Sequence, residues 1–286
     1  MIALWLDHSL RRGAQVVWGG SVGRMPERRL RAVRDRLPSR VRGWVNRAKP
    51  YLAKPLDPVM LNPLATEPQH RLCDADVLAN ELLPTLGLGG VDPTLYPTEL
   101  LEYWDRGVQA IQFPNQFGPY LAALTRLNVR SYLEIGVAYG GSFAVTVDLL
   151  RRFGLRRALA VDLDPSRLWL YAAQRPGVTL VSVNSHTPAF RDLLRDHGPF
   201  DLVFIDGDHS EAAVRADFAA VRPHARLIAF HDIVELNFSD VRKVWNEVRE
   251  LHADDYEFHE FTLQYPDHPQ HLGIGLAIRH EPLADR

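Results

Sequence analysis

Apolar and polar positions follow two rhythms along this chain, and the change falls near residue 99. Beyond it, short apolar runs of strand length recur at Ser131–Ile135, Ala158–Val161, Val178–Val183, Asp201–Ile205 and Arg226–Phe230. Between them the apolar spacing turns helical, in stretches running from Gly140 to about Arg152, then over Pro188–Arg195, Glu211–Val221 and Ser239–Leu251. Strands that alternate with helices of this size predict a parallel sheet covered on both faces. Tyr256–Phe261 and Gly273–Ile278 are joined without a helical pattern and predict an antiparallel pair at one edge. The fold class is α/β, a doubly wound and mostly parallel sheet.

Before residue 99 the pattern is different. Leu30, Val33, Leu37, Val41 and Trp44 recur at helical steps, with Pro38 splitting them into two short helices. Pro50, Pro55, Pro58, Pro63, Pro68, Pro84, Pro93 and Pro97 then punctuate a stretch that reads as a linker or wrapping segment, with one helix around Asp74–Leu83. The predicted organisation is a basic helical arm and proline-rich segment over residues 1–98, followed by a main domain over 99–286.

Charge sharpens that division. The 286 residues carry a net charge of −2, yet residues 1–54 hold 13 Lys/Arg against 3 Asp/Glu. Such an arm suits a partner subunit, the main domain or an anionic membrane surface. No nucleic-acid motif accompanies the arginines, so no nucleic-acid partner is expected. The arm and the proline-rich wrap together predict a homo-oligomer. A single cysteine, Cys73, excludes an internal disulfide framework and a multi-thiolate zinc site. No apolar run reaches the length of a membrane span, and the first residues lack the pattern of a signal peptide; the expected location is cytoplasmic.

In a doubly wound sheet, ligands bind beyond the carboxyl ends of the strands. There the sequence places Glu134 and the turn Gly136–Ser142, then Asp162 and Asp164, then Asn184 and Ser185, then Asp206, Asp208 and His209, and last His231 and Asp232. Polar and mostly acidic residues at every strand end are the strongest functional signal. The glycine spacing is not Gly-x-Gly-x-x-Gly, and Glu134 would repel a pyrophosphate. Asp162, 26 residues after Gly136, is in register to bind ribose hydroxyls. A nucleoside without phosphates suits these features better than a dinucleotide, which counts against an NAD-dependent oxidoreductase. The plain alternatives are that Asp206 or Asp232 caps a helix, that His209 is an exposed histidine, and that Tyr103 and Trp104 simply pack in the core or at an interface. His186, His197, His224 and His252 are expected to have no special role.

The residues Glu-Ile-Gly-x-x-x-Gly-x-Ser at 134–142, Val-Asp at 161–162, Asp-Leu-Val-Phe-Ile-Asp-Gly-Asp-His at 201–209 and Ala-Phe-His-Asp at 229–232 carry a resemblance. They look like the class I methyltransferases that use S-adenosyl-L-methionine. More closely they resemble the metal-dependent O-methyltransferases of sugars and natural products, including the macrolide sugar and cephalosporin-hydroxylase-like groups. The resemblance covers about residues 105–280 and leaves 1–98 outside. It implies a seven-stranded Rossmann-like sheet and a cofactor set of Glu134, Gly136, Gly140, Ser142, Asp162, Ser185 and Asp206. Within that set, the glycine turn would lie along the methionine part, Glu134 near its ammonium, Asp162 on the ribose and Ser185 at the adenine edge. Asp206 and Asp232 fall where the family holds Mg²⁺, His209 where some members have a catalytic histidine, and Asp208 where others use an acid. The segment Ile111–Gln116 resembles the region that closes over the cofactor. One position departs: His231 stands where many members have a carboxylate. It is carried as a third metal ligand, which would favour Mn²⁺ or weaken the site, or as a base.

The function implied is O-methylation of a hydroxyl on a sugar or glycosylated natural product, assisted by Mg²⁺ or Mn²⁺. A catechol or phenol acceptor is the second reading. A non-catalytic nucleoside-binding protein that docks through its basic arm is the alternative of another class.

Overall fold

The computed structural model describes residues 55–281 apart from Val91, Leu236–Phe238 and Pro269, together with the backbone of Val16–Trp18 and Ser21–Gly23. The chain divides into two compact units, Met1–Pro55 and Leu56–Arg286. In the first, Val16–Trp18 pairs antiparallel with Ser21–Gly23. The amphipathic helices expected around Leu30–Trp44 lie outside the described residues.

The second unit is built on seven strands: β1 (Ser131–Ile135), β2 (Arg157–Asp162), β3 (Val178–Ser182), β4 (Phe200–Ile205), β5 (Ala225–Phe230), β6 (Tyr256–Phe261) and β7 (Ile274–Arg279). Their order across the sheet is β3-β2-β1-β4-β5-β7-β6. The first five are mutually parallel, and β7 runs antiparallel to both β5 and β6. Central strands are apolar because both faces are covered; all five residues of β1 are buried. The edge strands β3 and β6 instead mix exposed and half-buried positions.

Side chains alternate across the sheet with period two, and each set finds its own helices. Leu133, Leu159, Val203 and Ile228 face α3 (Pro188–His197), α4 (Glu211–Val221) and α5 (Ser239–Leu251). In α5, Val241, Val244, Trp245 and Val248 recur as one stripe and are all buried. Tyr132, Ala160, Leu202 and Phe204 turn to the opposite face, against α1 (Pro114–Leu124) and α2 (Gly141–Arg151).

The proline-rich stretch is no loose linker. From Leu56 onward it folds into short helical turns whose Leu61, Leu64, Leu72 and Leu78 are 0% exposed and join the same core as α1 and α2. Its helix runs from Ala75 to Leu86 with a wide turn at Leu78–Leu82, and Asp74 caps it by accepting from the Asp76 and Val77 amides. Prolines shorten each turn but leave the leucines free to pack. Gly118 of α1 permits the closest approach, since a Cβ there would lie 2.8 Å from the Ala79 nitrogen.

Candidate functional site

Beyond the carboxyl ends of the parallel strands lies a cavity of about 550 Å³. Its floor follows the strand order. Val161, Asp162 and Leu163 leave β2, and Val183 to His186 leave β3. Ile135, Gly136 and Ala138 follow β1, Asp206 to His209 follow β4, and His231 and Asp232 follow β5. The switch point between β1 and β4 therefore divides it into a β2/β3 end and a β4/β5 end.

The glycine turn is held from both sides. Gly136 has φ +83°, and a Cβ there would meet the Asp206 carbonyl oxygen at 2.0 Å, so the ends of β1 and β4 close on each other through a missing side chain. Asp162 Oδ2 accepts from the Val137 and Ala138 amides at 2.9 and 3.2 Å, while Oδ1 accepts from the Asp164 amide at 2.9 Å. Oδ1, with one donor, keeps acceptor capacity for a ligand hydroxyl. Gly140, at φ +81°, caps α2 and packs on Leu168. The backbone of Val108–Ala110 lies against Gly141, within 2.5–2.8 Å of where a Cβ would stand, so the first turn of α2 is covered by chain. That suits a ligand without phosphates better than one with them.

Glu134 sits under this turn, on the α2 face of the sheet, where it is 1% exposed and accepts a hydrogen bond from the Tyr132 hydroxyl. Burial pushes its carboxyl up to about 8. Glu134, Gly140 and Ser142 are not among the residues that line the cavity, whereas Gly136, Asp162, Ser185 and Asp206 are. Ser185 and His186 reach the wall beside Asp217, a buried carboxylate of α4 that lies 3.4 Å from the His186 ring. His186, for which no special role is expected, lines the cavity.

At the β4/β5 end the acidic residues converge with two histidines. Asp206, His209 and Asp232 each offer a ligand atom, all within 4.8 Å of one another. His209 Nε2 stands 3.1 Å from Asp232 Oδ2 and 3.4 Å from Asp206 Oδ1. His231 occupies a different place from the one expected of a third ligand. It is 3% exposed, with Nδ1 3.0 Å from Asp206 Oδ1 and 3.3 Å from Asp232 Oδ1, and Nε2 3.1 Å from Gln112 Oε1. It stands behind the two carboxylates and ties them together, with both ring nitrogens engaged. Asp232 takes this position with φ +60°, a strained backbone for a non-glycine residue.

Electrostatics follow from these contacts. Burial alone would push the His231 imidazole down, but Asp206 and Asp232 outweigh it and raise its pKa well above the ordinary value. Burial opposes ionisation of Asp206 as well, yet the nearby His231 and His209 bring its carboxyl below the usual range. Asp208 is exposed and accepts from the Ser210 amide at 2.9 Å at the start of α4, which lowers its pKa. The N-cap residue of that helix is Ser210, and the Glu211 amide donates to Asp240 instead. The donor set of two carboxylates and one imidazole, with no lysine or arginine among the described lining residues, fits a hard or borderline divalent cation such as Mg²⁺ or Mn²⁺.

Sequence reasoning missed the wall facing the carboxylates. Tyr96, Trp104, Ile111 and Leu272 line it, with Asp92 and His271 at its margin. Gln112 and Gln116, inside the segment expected to close over a cofactor, are buried. Gln112 meets His231, and Gln116 accepts from the Gly273 amide at 2.9 Å while donating to the Leu263 carbonyl at 3.0 Å. The glycine run at 87–90 was the available signal for this wall. Gly87, Gly89 and Gly90 let the 87–90 segment lie directly against residues 104–109.

Comparison with known proteins agrees with this geometry. Residues 133–233, from β1 to just past Asp232, match a family described as a methyltransferase domain. The matched stretch, 101 of the 286 residues, takes in β1 to β5 and the acids that follow them. Among solved structures, the chain is similar to the MycE methyltransferase of the mycinamycin biosynthetic pathway, in complex with Mg and S-adenosylhomocysteine. Identity is 19% over 59% of this chain and 52% of that one, with a TM-score of 0.41. It is also similar to an O-methyltransferase from Bacillus cereus in complex with S-adenosylhomocysteine, at 17% identity over 77% and 95%, TM-score 0.40. A third is a putative RNA methyltransferase from Pyrococcus horikoshii, at 12% identity over 72% and 97%, TM-score 0.43. The chain spans about half the length of the MycE protein. None of the three is alike enough to lend this chain a substrate, a metal or a partner. A comparison with curated protein sequences gives no match.

Proposed function

We propose that the protein is an S-adenosylmethionine-dependent O-methyltransferase acting on a hydroxyl of a sugar or glycosylated natural product, with Mg²⁺ or Mn²⁺ held by Asp206 and Asp232. One observation carries this reading: a single cavity joins the Asp162–Ser185 end to the cluster of Asp206, His209 and Asp232. A nucleoside at the first end would present its sulfonium toward the second.

Methyl transfer is an in-line displacement. The acceptor oxygen bonds to the methyl carbon as the carbon–sulfur bond breaks, sulfonium becomes thioether, and the hydroxyl proton must leave. The cofactor is already activated, so the protein supplies orientation and a proton acceptor. Asp162 takes the ribose hydroxyls, Gly136 and Ala138 leave room for the methionine portion, and His209 takes the proton. A divalent cation bound by Asp206 and Asp232 would make a neighbouring hydroxyl more acidic. His231 keeps both carboxylates aimed at one point. Asp208, its pKa lowered by the Ser210 amide that it accepts from, is the weaker candidate for the base.

Calorimetric titration with S-adenosylmethionine, with and without Mg²⁺, tests the reading. Micromolar binding is expected in the wild type. Asp232→Asn should abolish Mg²⁺ binding and methyl transfer while leaving cofactor affinity within about threefold. His209→Ala should lower the rate about 10²-fold or more with Mg²⁺ binding intact. Loss of Mg²⁺ binding in His209→Ala would make His209 a ligand instead of the base.

The aromatic wall also favours a phenol or catechol acceptor as a second reading, decided by comparing turnover of catechol with that of glycosides. We further propose that the basic arm of residues 1–54 mediates self-association. Light scattering of a chain lacking residues 1–50 should then report a smaller particle.

A further inference from the structure

The cavity has a second wall that the methyl-transfer chemistry does not explain. It stands at the β4/β5 end. Tyr96 packs edge-on to Phe113 with ring centroids 4.9 Å apart, and the next residue, Gln112, holds His231. Whatever lies on this wall is therefore beside the carboxylates and His209.

The wall is rigid. The Gly89 amide donates to the Ala110 carbonyl at 2.9 Å, the Val108 amide to the Leu86 carbonyl at 2.8 Å and the Leu88 amide to the Tyr103 carbonyl at 3.0 Å. Trp104 is clamped on this frame. Its ring lies 4.9 Å from the Tyr96 ring at 65°, and a Cβ on Gly90 would come within 2.7 Å of its Cη2. Tyr96 behind it is 3% exposed, while Trp104 itself remains half-buried and lines the cavity. An indole held on one side and open to a cavity on the other is a platform, because its remaining apolar surface gains by being covered.

Charge sets the second limit. Asp92, Asp162, Asp206, Asp208 and Asp232 all line this cavity, and no lysine or arginine does among the described residues. The lining histidines are already matched by carboxylates, His231 and His209 by Asp206 and Asp232, His271 by Glu235 and His186 by Asp217, so an anionic group entering at the wall meets like charge and desolvation together.

Building on the methyltransferase reading above, we propose that the acceptor is an uncharged or cationic hydroxylated molecule with an apolar face, and that Trp104, backed by Tyr96, selects it. A phosphorylated or carboxylated acceptor is discriminated against. Trp104 is a specificity residue for the acceptor and takes no part in holding the cofactor.

Two probes share one aromatic body and differ in charge: 4-methylumbelliferyl β-D-glucopyranoside and 4-methylumbelliferyl phosphate. Each is titrated calorimetrically into the full chain saturated with S-adenosylhomocysteine, without added divalent cation. The glucoside should bind at least tenfold more tightly than the phosphate. Trp104→Ala should weaken glucoside binding tenfold or more, Trp104→Phe less, and both should keep S-adenosylhomocysteine affinity within twofold. Equal or tighter binding of the phosphate overturns the proposal. So does glucoside affinity that ignores Trp104→Ala, or no binding of either probe by a protein that holds S-adenosylhomocysteine. If Trp104→Ala fails to fold, Trp104→Phe decides by the same criteria. Failure of the wild type to bind S-adenosylhomocysteine strikes the methyltransferase reading instead, a separate result seen before any probe is added.

Discussion

Glu134 shows how one residue can belong to a motif and still act through burial. Its position at the end of β1 marks the start of the glycine turn, but its carboxyl points into the packed face between Tyr132 and the α1 and α2 helices. With the pKa raised by burial from 4.5 to about 8, the folded chain keeps a proton that the unfolded chain gives up. The contribution is therefore fully present below about pH 4.5 and is lost as pH rises through about 8. Glu134→Gln removes that titration. The stability of the wild type relative to Glu134→Gln should fall by about 1.4 kcal/mol per pH unit between pH 5 and 8, and then level off. Urea unfolding of both proteins across that range checks it; a constant difference would place an ionised, solvated carboxylate there. This behaviour was not legible in the sequence, since Glu134 reads as a strand-end acid like Asp162. The fate of its side chain depends on which sheet face it takes and what covers that face.

At the scale of elements, the α1 start and the β6–β7 connection depend on each other. Gln116 is 0% exposed and bonds to the backbone on both sides of that connection. Gln116→Leu keeps the volume but strands the buried Gly273 amide, at a cost of roughly 2 kcal/mol. A melting temperature lower by about 4–8 °C is expected for a unit of this size, with faster amide exchange at Gly273. Unchanged exchange there would mean that the connection holds without α1. The helices α4 and α5 and strands β1 and β6 were legible to the residue, because uninterrupted apolar periodicity carries its own boundaries. The turns between Leu56 and Leu72 were not. Prolines break the period there, and burial is supplied by contacts with α1 and α2 that no local window contains.

For the molecule as a whole, the division falls at residue 55 in the contacts, not at 98 where the apolar rhythm changes. Removing residues 1–55 should leave a cooperatively folding unit with the wild-type circular dichroism. Removing residues 1–98 also deletes Leu61, Leu64, Leu72 and Leu78 from the core. At roughly 1.5–3 kcal/mol for each buried leucine, the loss is about 6–12 kcal/mol, comparable with the whole stability of a domain. That truncation should yield insoluble or molten protein, and a cooperative melt from it would show that the segment is an accessory layer.

The sequence by itself determined the strand and helix alternation, the antiparallel edge pair and the acids at the strand ends. Each of these is written in a local period or a residue type at a fixed offset. It also placed Asp162, Asp206, His209, His231 and Asp232 at one end of the sheet, because parallel strands bring all their carboxyl ends together. Only the tertiary structure decided the roles within that set. His209 joins Asp206 and Asp232 while His231 stands behind them, Asp208 accepts from the Ser210 amide, and Glu134 turns under the glycine turn. It alone raised Trp104 and Tyr96 into a wall of the cavity. The physical reason is common to these cases: distance between side chains far apart in sequence is set by packing and by sheet face, and neither is encoded in spacing along the chain.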